Sequence, residues 1–180
     1  MSRITLQTAE TVNPEAKARL ETAQKNNGFL PNLIAVLANA PTALETYQEV
    51  GAINGRTSLT GGEREVVQLT AASVNGCGFC QAGHTALSVK KKLLDDDAIK
   101  ASRQLGELAD ARLNALAEFT RAVMANKGNV SDEELAAFFA AGYNEQQALE
   151  VVLGVSLATL CNYANNLARS EINPELQAYA

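Results

Sequence analysis

The chain is poor in the residue types that most often perform chemistry. Its 180 residues include a single histidine, His84, and only three cysteines. Any imidazole chemistry must therefore use His84. Three cysteines do not build the disulfide framework of a secreted protein. They fit a reducing cytosol, where a C-x-x-C pair is catalytic, metal-binding or redox-active, so we expect a cytoplasmic protein.

Other absences narrow the function further. The chain has 15 basic and 20 acidic residues, so it lacks the positive field that binding to nucleic acid requires. The longest apolar run, Val151 to Cys161, is too short to span a bilayer, and no apolar core of a signal peptide is evident. No G-x-G-x-x-G loop is present, so we expect neither a bound nicotinamide or flavin nor any other cofactor.

The spacing of apolar residues predicts helices throughout. Alternating β-branched runs are nearly absent, and Thr60-Gly-Gly-Glu63 and Ser131-Asp-Glu-Glu134 are capping boxes that each open a helix. No linker or repeat divides the chain. Residues 1–180 are therefore predicted to form one all-α domain, with its core motif region at 60–94. The predicted helices cover about 14–27, 33–38, 41–54, 61–75, 77–92, a short stretch after Asp96, 107–127, a stretch after Ser131, and 145–169.

The segment Cys77-Gly-Phe-Cys80-Gln-Ala-Gly-His84 holds two of the three cysteines and the sole histidine. On a helix these three side chains occupy positions i, i+3 and i+7 and share one face. Asn75-Gly76 predicts a break that puts Cys77 at the helix start, where the helix dipole favours a thiolate. The imidazole lies further along, where it can exchange protons with the thiols. This spacing favours a thiol redox site with a proton relay.

Helical periodicity also orients the neighbouring polar residues. Glu65 lies in line with Leu69 and Ala72, so its carboxylate faces apolar surroundings and suits acid–base work. Glu63 is engaged in its capping box, which makes Glu65 the preferred relay carboxylate. On the cysteine helix one polar stripe is predicted to face solvent, namely Gln81, Thr85, Ser88 and Lys92.

Other interpretations of these residues stay open. The two thiols could be structural, and His84 could be a core histidine. Zinc is the main chemical rival, because two cysteines and a histidine are zinc ligands and Glu65 could be a fourth. Cys161 lies among apolar residues and fits a small core residue better than a third redox thiol. Haem attachment would need a histidine directly after Cys80, where Gln81 stands.

Glu65, eleven intervening residues, Cys77-x-x-Cys80 and x-x-x-His84 resemble the motif of the alkylhydroperoxidase D (AhpD)-like proteins of the carboxymuconolactone decarboxylase superfamily. The resemblance covers most of residues 28–168, including LPNLIAVLANAPTALETYQEV and NYANNLA. It implies an all-helical fold that assembles as a homotrimer or homohexamer. It also implies that Cys80 attacks the peroxide, that Cys77 resolves the sulfenic acid as a disulfide, and that Glu65 and His84 relay protons.

One departure accompanies the resemblance. The characterised peroxidase has a histidine between the two cysteines, where this chain has Phe79. The superfamily's lactone decarboxylases generally lack the cysteine pair, which argues against decarboxylation. We therefore predict a thiol-dependent peroxidase that reduces hydroperoxides and is itself reduced by a lipoyl or thioredoxin-like dithiol protein. The alternatives are a general disulfide reductase, a decarboxylase-like enzyme, or a non-enzymatic zinc-binding or redox-sensing module.

The last predicted helix bears on assembly. Between Val151 and Cys161 it is apolar on nearly all sides, and a helix of that kind must be buried all round. A central position in one domain would achieve this. However, the short apolar segments 33–38 and 136–141 also need cover, which is easier to supply between subunits. We therefore expect a homotrimer or homohexamer rather than a monomer.

Overall fold

Capping residues and helix-ending turns divide the chain into helices alone. The computed structural model describes residues 2–180, and that part of the chain contains nine α-helices, a C-terminal 3₁₀ segment and no strand. The all-α prediction is confirmed. The helices are α1 (Pro14–Asn27), α2 (Asn32–Leu37), α3 (Pro41–Asn54), α4 (Gly61–Val74), α5 (Gly78–Lys91), α6 (Asp96–Gln104), α7 (Ala111–Ala125), α8 (Asp132–Ala140) and α9 (Glu145–Ala168), and the 3₁₀ segment is Pro174–Tyr179.

The helix starts follow from side chains that satisfy the first free backbone N–H groups. Both predicted capping boxes are present, at Thr60 and at Ser131. The predicted start of α7 near residue 107 is wrong, because α7 begins at Ala111. The Asp110 carboxylate accepts hydrogen bonds from the N–H groups of Arg112 and Leu113, which fixes the helix start there.

Helix α4 is the central element of the fold. It packs against α5, α6, α7 and α9, and most of its residues are buried. Two apolar clusters lie on its two sides. One joins α1, α2, α5 and α9, and the other joins α4, α7 and α8 with part of α9. The site residues on α4 and α5 are therefore held by a helix that is supported on both sides.

The buried Glu63 ties α4 to α7. Its carboxylate accepts a hydrogen bond from the backbone N–H of Thr60 at 2.7 Å and pairs with Arg112 at 3.1 Å. Burial opposes ionisation, but the hydrogen bonds from Thr60 and Arg112 hold the pKa of Glu63 below its usual value. Glu63 is therefore structural, as its capping-box position predicts.

The predicted solvent stripe of α5 is partly wrong. Thr85 and Ser88 are buried, because α6 and the C-terminal 3₁₀ segment pack over this face. Arg103 of α6 reaches across it and donates to the Thr85 hydroxyl and to the Tyr179 carbonyl. The sequence pattern of α5 alone could not show that two later segments return to cover it.

Helix α9 is not buried all round within one chain, so a central position in the domain does not supply all of the expected cover. One face packs on α2, α3, α4, α5 and α7, and Val151, Leu157 and Cys161 enter the two cores. The opposite face is exposed and largely apolar, with Leu149 71% and Leu167 63% exposed. Among residues 2–180, α9 is also the one helix whose length and composition would suit a membrane span. Its inner face belongs to the two apolar clusters of the domain.

The exposed stripe of α9 has two apolar parts. Leu149 and Val152 form one, Tyr163 and Leu167 form the other, and all four lie on one face and are exposed, with Ser156 between the two parts. By contrast, the segment 33–38 is fully covered within the chain, so it does not call for a partner. An apolar stripe of this length is typical of a protein–protein contact.

We propose that the α9 stripe is buried between copies of this chain in a homotrimer or homohexamer. Light scattering coupled to gel filtration should then give three or six times the 19.1 kDa chain mass at micromolar concentration. Leu149→Glu with Leu167→Glu should lower that mass, because charges buried in an apolar contact are unfavourable. A parent protein that elutes at the mass of one chain would contradict the proposal.

Candidate active site

The turn between α4 and α5 places the first cysteine. Gly76 has φ 62°, a left-handed conformation that glycine adopts without a steric penalty. The Cys77 N–H then donates to the Ala72 carbonyl at 2.8 Å, and Cys77 becomes the N-cap residue of α5. Its Sγ accepts a hydrogen bond from the Cys80 backbone N–H at 3.4 Å. The sulfur thus occupies the position that a serine or aspartate oxygen takes at other helix starts.

The second cysteine is held between α5 and α9. Asn165 of α9 donates from Nδ2 to the Cys80 Sγ at 3.4 Å. Two further asparagines of α9 contact Asn75 beside the turn: Asn162 accepts from its side-chain amide at 3.0 Å, and Asn166 donates to its carbonyl at 2.8 Å. The run of asparagines near the end of α9 therefore anchors this helix against the cysteine turn.

The histidine and the carboxylate are in direct contact. The Glu65 Oε2 atom lies 2.8 Å from the His84 Nδ1 atom. The Glu65 side chain is only 8% exposed, and the His84 side chain is 28% exposed. With Nδ1 held by Glu65, Nε2 is the ring nitrogen that can exchange a proton with a bound molecule. Glu63 lies elsewhere, in its pair with Arg112.

The two thiols differ in pKa. A hydrogen bond from the Cys80 thiol lowers the pKa of Cys77 to about 7, against the effect of burial and with help from the Cys80 N–H and His84. The same hydrogen bond, together with burial, raises the pKa of Cys80 strongly. When the pair loses one proton, the negative charge is therefore on Cys77, and the remaining proton is on Cys80.

The neighbouring charges also change the pKa of the His84 imidazole. Burial opposes its protonated form, but the charge and hydrogen bond of Glu65 and the charge of Cys77 raise the pKa of His84 above its usual value. His84 therefore holds its proton more firmly than a free imidazole does.

The two cysteines line different cavities. Cys80 and His84 line a cavity of about 540 Å³ between α1, α2, α3, α5 and α9. Cys77 instead lines a separate cleft of about 380 Å³, together with Asn165, Asn166 and Arg169. Both cysteines are buried, and each one faces a different side of the site.

Cys161 and Tyr47 complete the inner cavity. Cys161 is buried in the apolar cluster, as predicted, and also lines the cavity, and burial raises the pKa of its thiol to about 12. Tyr47 of α3 lines the same cavity, and burial also raises the pKa of its phenol. Both groups stay protonated at neutral pH. Sequence reasoning missed Tyr47, because nothing in its own segment shows that it lines this cavity.

A metal centre is not assembled. Among residues 2–180, no three side chains of histidine, cysteine, aspartate or glutamate form a group that could hold a metal ion. The three cysteines are free thiols. Glu65, the ligand that a zinc site would need, is instead hydrogen-bonded to His84.

This site is a dithiol at a helix start beside a glutamate–histidine pair, within an all-helical domain. Residues 40–122 match the carboxymuconolactone decarboxylase family, and the matched region contains Glu65, Cys77, Cys80 and His84. This match supports the predicted resemblance to the AhpD-like and carboxymuconolactone decarboxylase superfamily. None of the curated proteins matches the chain in sequence.

Solved structures share the fold. One is an uncharacterized peroxidase-related protein with an alkylhydroperoxidase AhpD core from Ralstonia eutropha, with TM-score 0.83 and 20% identity over 97% of this chain and 94% of that one. A peroxidase-related protein from a Silicibacter species gives 0.81 and 18% over 97% and 93%. The debrominase Bmp8 in complex with 2,3,4-tribromopyrrole gives 0.79 and 16% over 98% and 94%. At such identities the likeness establishes the fold.

The lowered pKa of Cys77 predicts a titration near neutrality. Thiolate absorbance of the reduced protein should rise with a midpoint at about pH 7, because the thiolate forms above the folded-state pKa and is lost below it. Cys77→Ser should remove this transition. Cys80→Ala should move it towards the ordinary cysteine value, because the donated hydrogen bond is gone. A midpoint that stays near pH 7 in Cys77→Ser would show that the thiolate is not on Cys77.

Proposed function

We propose that this protein is a thiol-dependent peroxidase that reduces organic hydroperoxides through a Cys77–Cys80 disulfide cycle. The observation that carries the proposal is that Cys80 and His84 line one cavity, with His84 hydrogen-bonded to the buried Glu65 and Cys77 hydrogen-bonded to Cys80. A nucleophile, a proton donor and a resolving thiol are thus adjacent. The peroxidase-related names of two structural neighbours agree with this reaction class.

The chemistry begins with a proton shift inside the dithiol. The Cys77 thiolate takes the proton of the Cys80 thiol, and the Cys80 thiolate attacks the outer peroxide oxygen. The O–O bond breaks, an S–O bond forms, and His84 gives a proton to the leaving alkoxide, which departs as an alcohol. Cys80 is now a sulfenic acid. Cys77 then attacks this sulfur, and water leaves as the disulfide forms.

The roles of the two cysteines are decided by access rather than by resting charge. Charge alone favours Cys77, whose pKa is lowered to about 7. Cys77, however, does not line the cavity that contains His84, whereas Cys80 does. Because the attacking sulfur must meet the peroxide where the alkoxide can be protonated, we assign Cys80 as the peroxidatic residue and Cys77 as its base and resolving thiol.

The reductant reaches the disulfide from the other side. A dithiol carrier, of lipoyl or thioredoxin-like type, would attack the Cys77 sulfur from the side of the cleft beside Asn166 and Arg169, and Cys80 would leave as the thiol. The second thiol of the carrier would then attack the mixed disulfide, release Cys77 as a thiol and form the carrier's own disulfide. This route keeps the peroxide cavity free during reduction and gives a use to the separate cleft at Cys77.

The alternative functions use fewer of these features. A decarboxylase, which the family name suggests, would have no task for the two thiols. A zinc-binding module would need Glu65 to leave His84. A general disulfide reductase would use the same thiol pair, and the peroxide assay separates it from a peroxidase because it would leave hydroperoxides intact.

Substitution of each cysteine tests the assignment. With cumene hydroperoxide and dithiothreitol, Cys80→Ser should abolish peroxide loss, because the attacking sulfur is missing. Cys77→Ser should instead accumulate a sulfenic acid at Cys80, which dimedone traps and mass spectrometry locates. Turnover by Cys80→Ser at the parent rate, or a dimedone adduct on Cys77 in that variant, would show the roles to be wrong.

The relay is tested with a matched pair of carboxylates. His84→Gln and Glu65→Gln should each slow peroxide turnover by about 10²-fold, the range of general acid–base catalysis. Glu63→Gln, two residues from Glu65, should keep the parent rate and instead lower the unfolding free energy by about 1–2 kcal/mol through its lost cap and ion pair. Equal rate losses in the two glutamate variants would remove Glu65 from the relay.

A further inference from the structure

The cavity at Cys80 is much longer than a small peroxide needs. Helix α5 forms one wall, with Cys80 near its start, His84 at its middle and Lys90 and Lys91 at its end, and all four line the cavity. At about 1.5 Å of rise per residue, Lys91 lies about 10 Å further along the helix axis than His84. A substrate that fills the cavity therefore extends well away from the sulfur.

The walls are mainly apolar. The large apolar side chains that line them are Phe29, Leu33, Ile34, Leu87, Leu157 and Leu176, and four polar side chains, Asn26, Asn27, Tyr47 and Gln68, also reach the cavity. Flexible apolar chains are the ligands that such walls favour, because burying hydrocarbon surface is favourable and needs no polar partner. The middle of the ligand is thus expected to be a hydrocarbon chain.

The far end carries positive charge. Lys90 and Lys91 line it, and none of the lining residues is acidic, although acidic residues outnumber basic ones in the chain. Both lysines close the C-terminal end of α5. The Lys90 ammonium lies 5.7 Å from the ring centre of Tyr179. Within residues 2–180, neither Lys90 nor Lys91 forms a salt bridge. They are available to a carboxylate.

We infer that the substrates are hydroperoxides of long-chain fatty acids. The carboxylate binds Lys90 and Lys91, the acyl chain lies along the apolar walls, and the hydroperoxide meets Cys80 and His84. This inference rests on the proposed peroxidase function and names its substrate class. It assigns to Lys90 and Lys91 a binding role beyond ending the helix.

Steady-state kinetics with a matched pair of substrates test the charge at the far end. Linoleic acid hydroperoxide and its methyl ester differ only in the carboxylate, and both are used below their micelle concentrations. The acid should have a KM about five-fold lower than the ester, as expected for a partly exposed ion pair. Added salt should reduce this difference.

Neighbouring lysines supply the matched variants. Lys90→Gln combined with Lys91→Gln should bring the acid and ester KM values together. Lys92→Gln, whose side chain does not line the cavity, should keep the parent ratio. Equal KM values for acid and ester in the parent protein would overturn the inference, as would a loss of the ratio in Lys92→Gln.

A binding measurement separates this inference from the peroxidase proposal. Isothermal titration calorimetry of the reduced parent protein with linoleate, which has no peroxide group, reports recognition without turnover. Linoleate should bind about five-fold more tightly than methyl linoleate, and the double lysine variant should lose the difference. If no hydroperoxide is consumed but linoleate is preferred, the reaction class is wrong and the ligand class stands. If cumene hydroperoxide is consumed and linoleate is not preferred over its ester, the ligand class is wrong.

Discussion

The turn at Gly76 is the constraint on which the site depends. Its left-handed backbone ends α4 and starts α5 within a few residues, so the first free N–H groups of α5 lie against the helix that carries Glu65. Cys77 then caps α5, and the Cys80 N–H points at its sulfur. A side chain at residue 76 would be strained in this conformation, and a shift of the turn would move both sulfurs relative to Glu65 and His84.

The charges of the site form one coupled group. Glu65 supports a proton on His84, the charged imidazole lowers the pKa of Cys77, and the Cys77 thiolate in turn raises the pKa of His84. Cys80 stays protonated because it donates to Cys77. The Glu65 carboxylate thus faces the His84 imidazole, and the Cys77 thiolate faces the Cys80 thiol, in a site where an isolated charge would be costly. The arrangement places a thiolate that can act as a base and an imidazole that can donate a proton in one site.

Sequence patterns predicted the elements whose signals are local. The capping boxes, the Asn75-Gly76 break and the helical spacing of Cys77, Cys80 and His84 depend on neighbouring residues, and the structure has them as predicted. The burial of a helix face depends on segments that are distant in the sequence, and it was predicted less well. Thr85 and Ser88 are covered by α6 and the C-terminal 3₁₀ segment, and one face of α9 stays exposed. The periodicity of a helix shows which residues share a face, but not which segment returns to cover it.

The chemistry and the specificity of the site come from different parts of the chain. The matched family region, residues 40–122, contains the thiols, the glutamate and the histidine. Several walls of the cavity lie outside it, at Phe29, Ile34 and Leu157, and so does Asn165, which holds the Cys80 sulfur. The family match therefore covers the reacting groups, whereas the shape and charge of the cavity determine which molecule is bound. Relatives that share the reacting groups can act on different substrates, because the walls can change without disturbing the turn that positions the sulfurs.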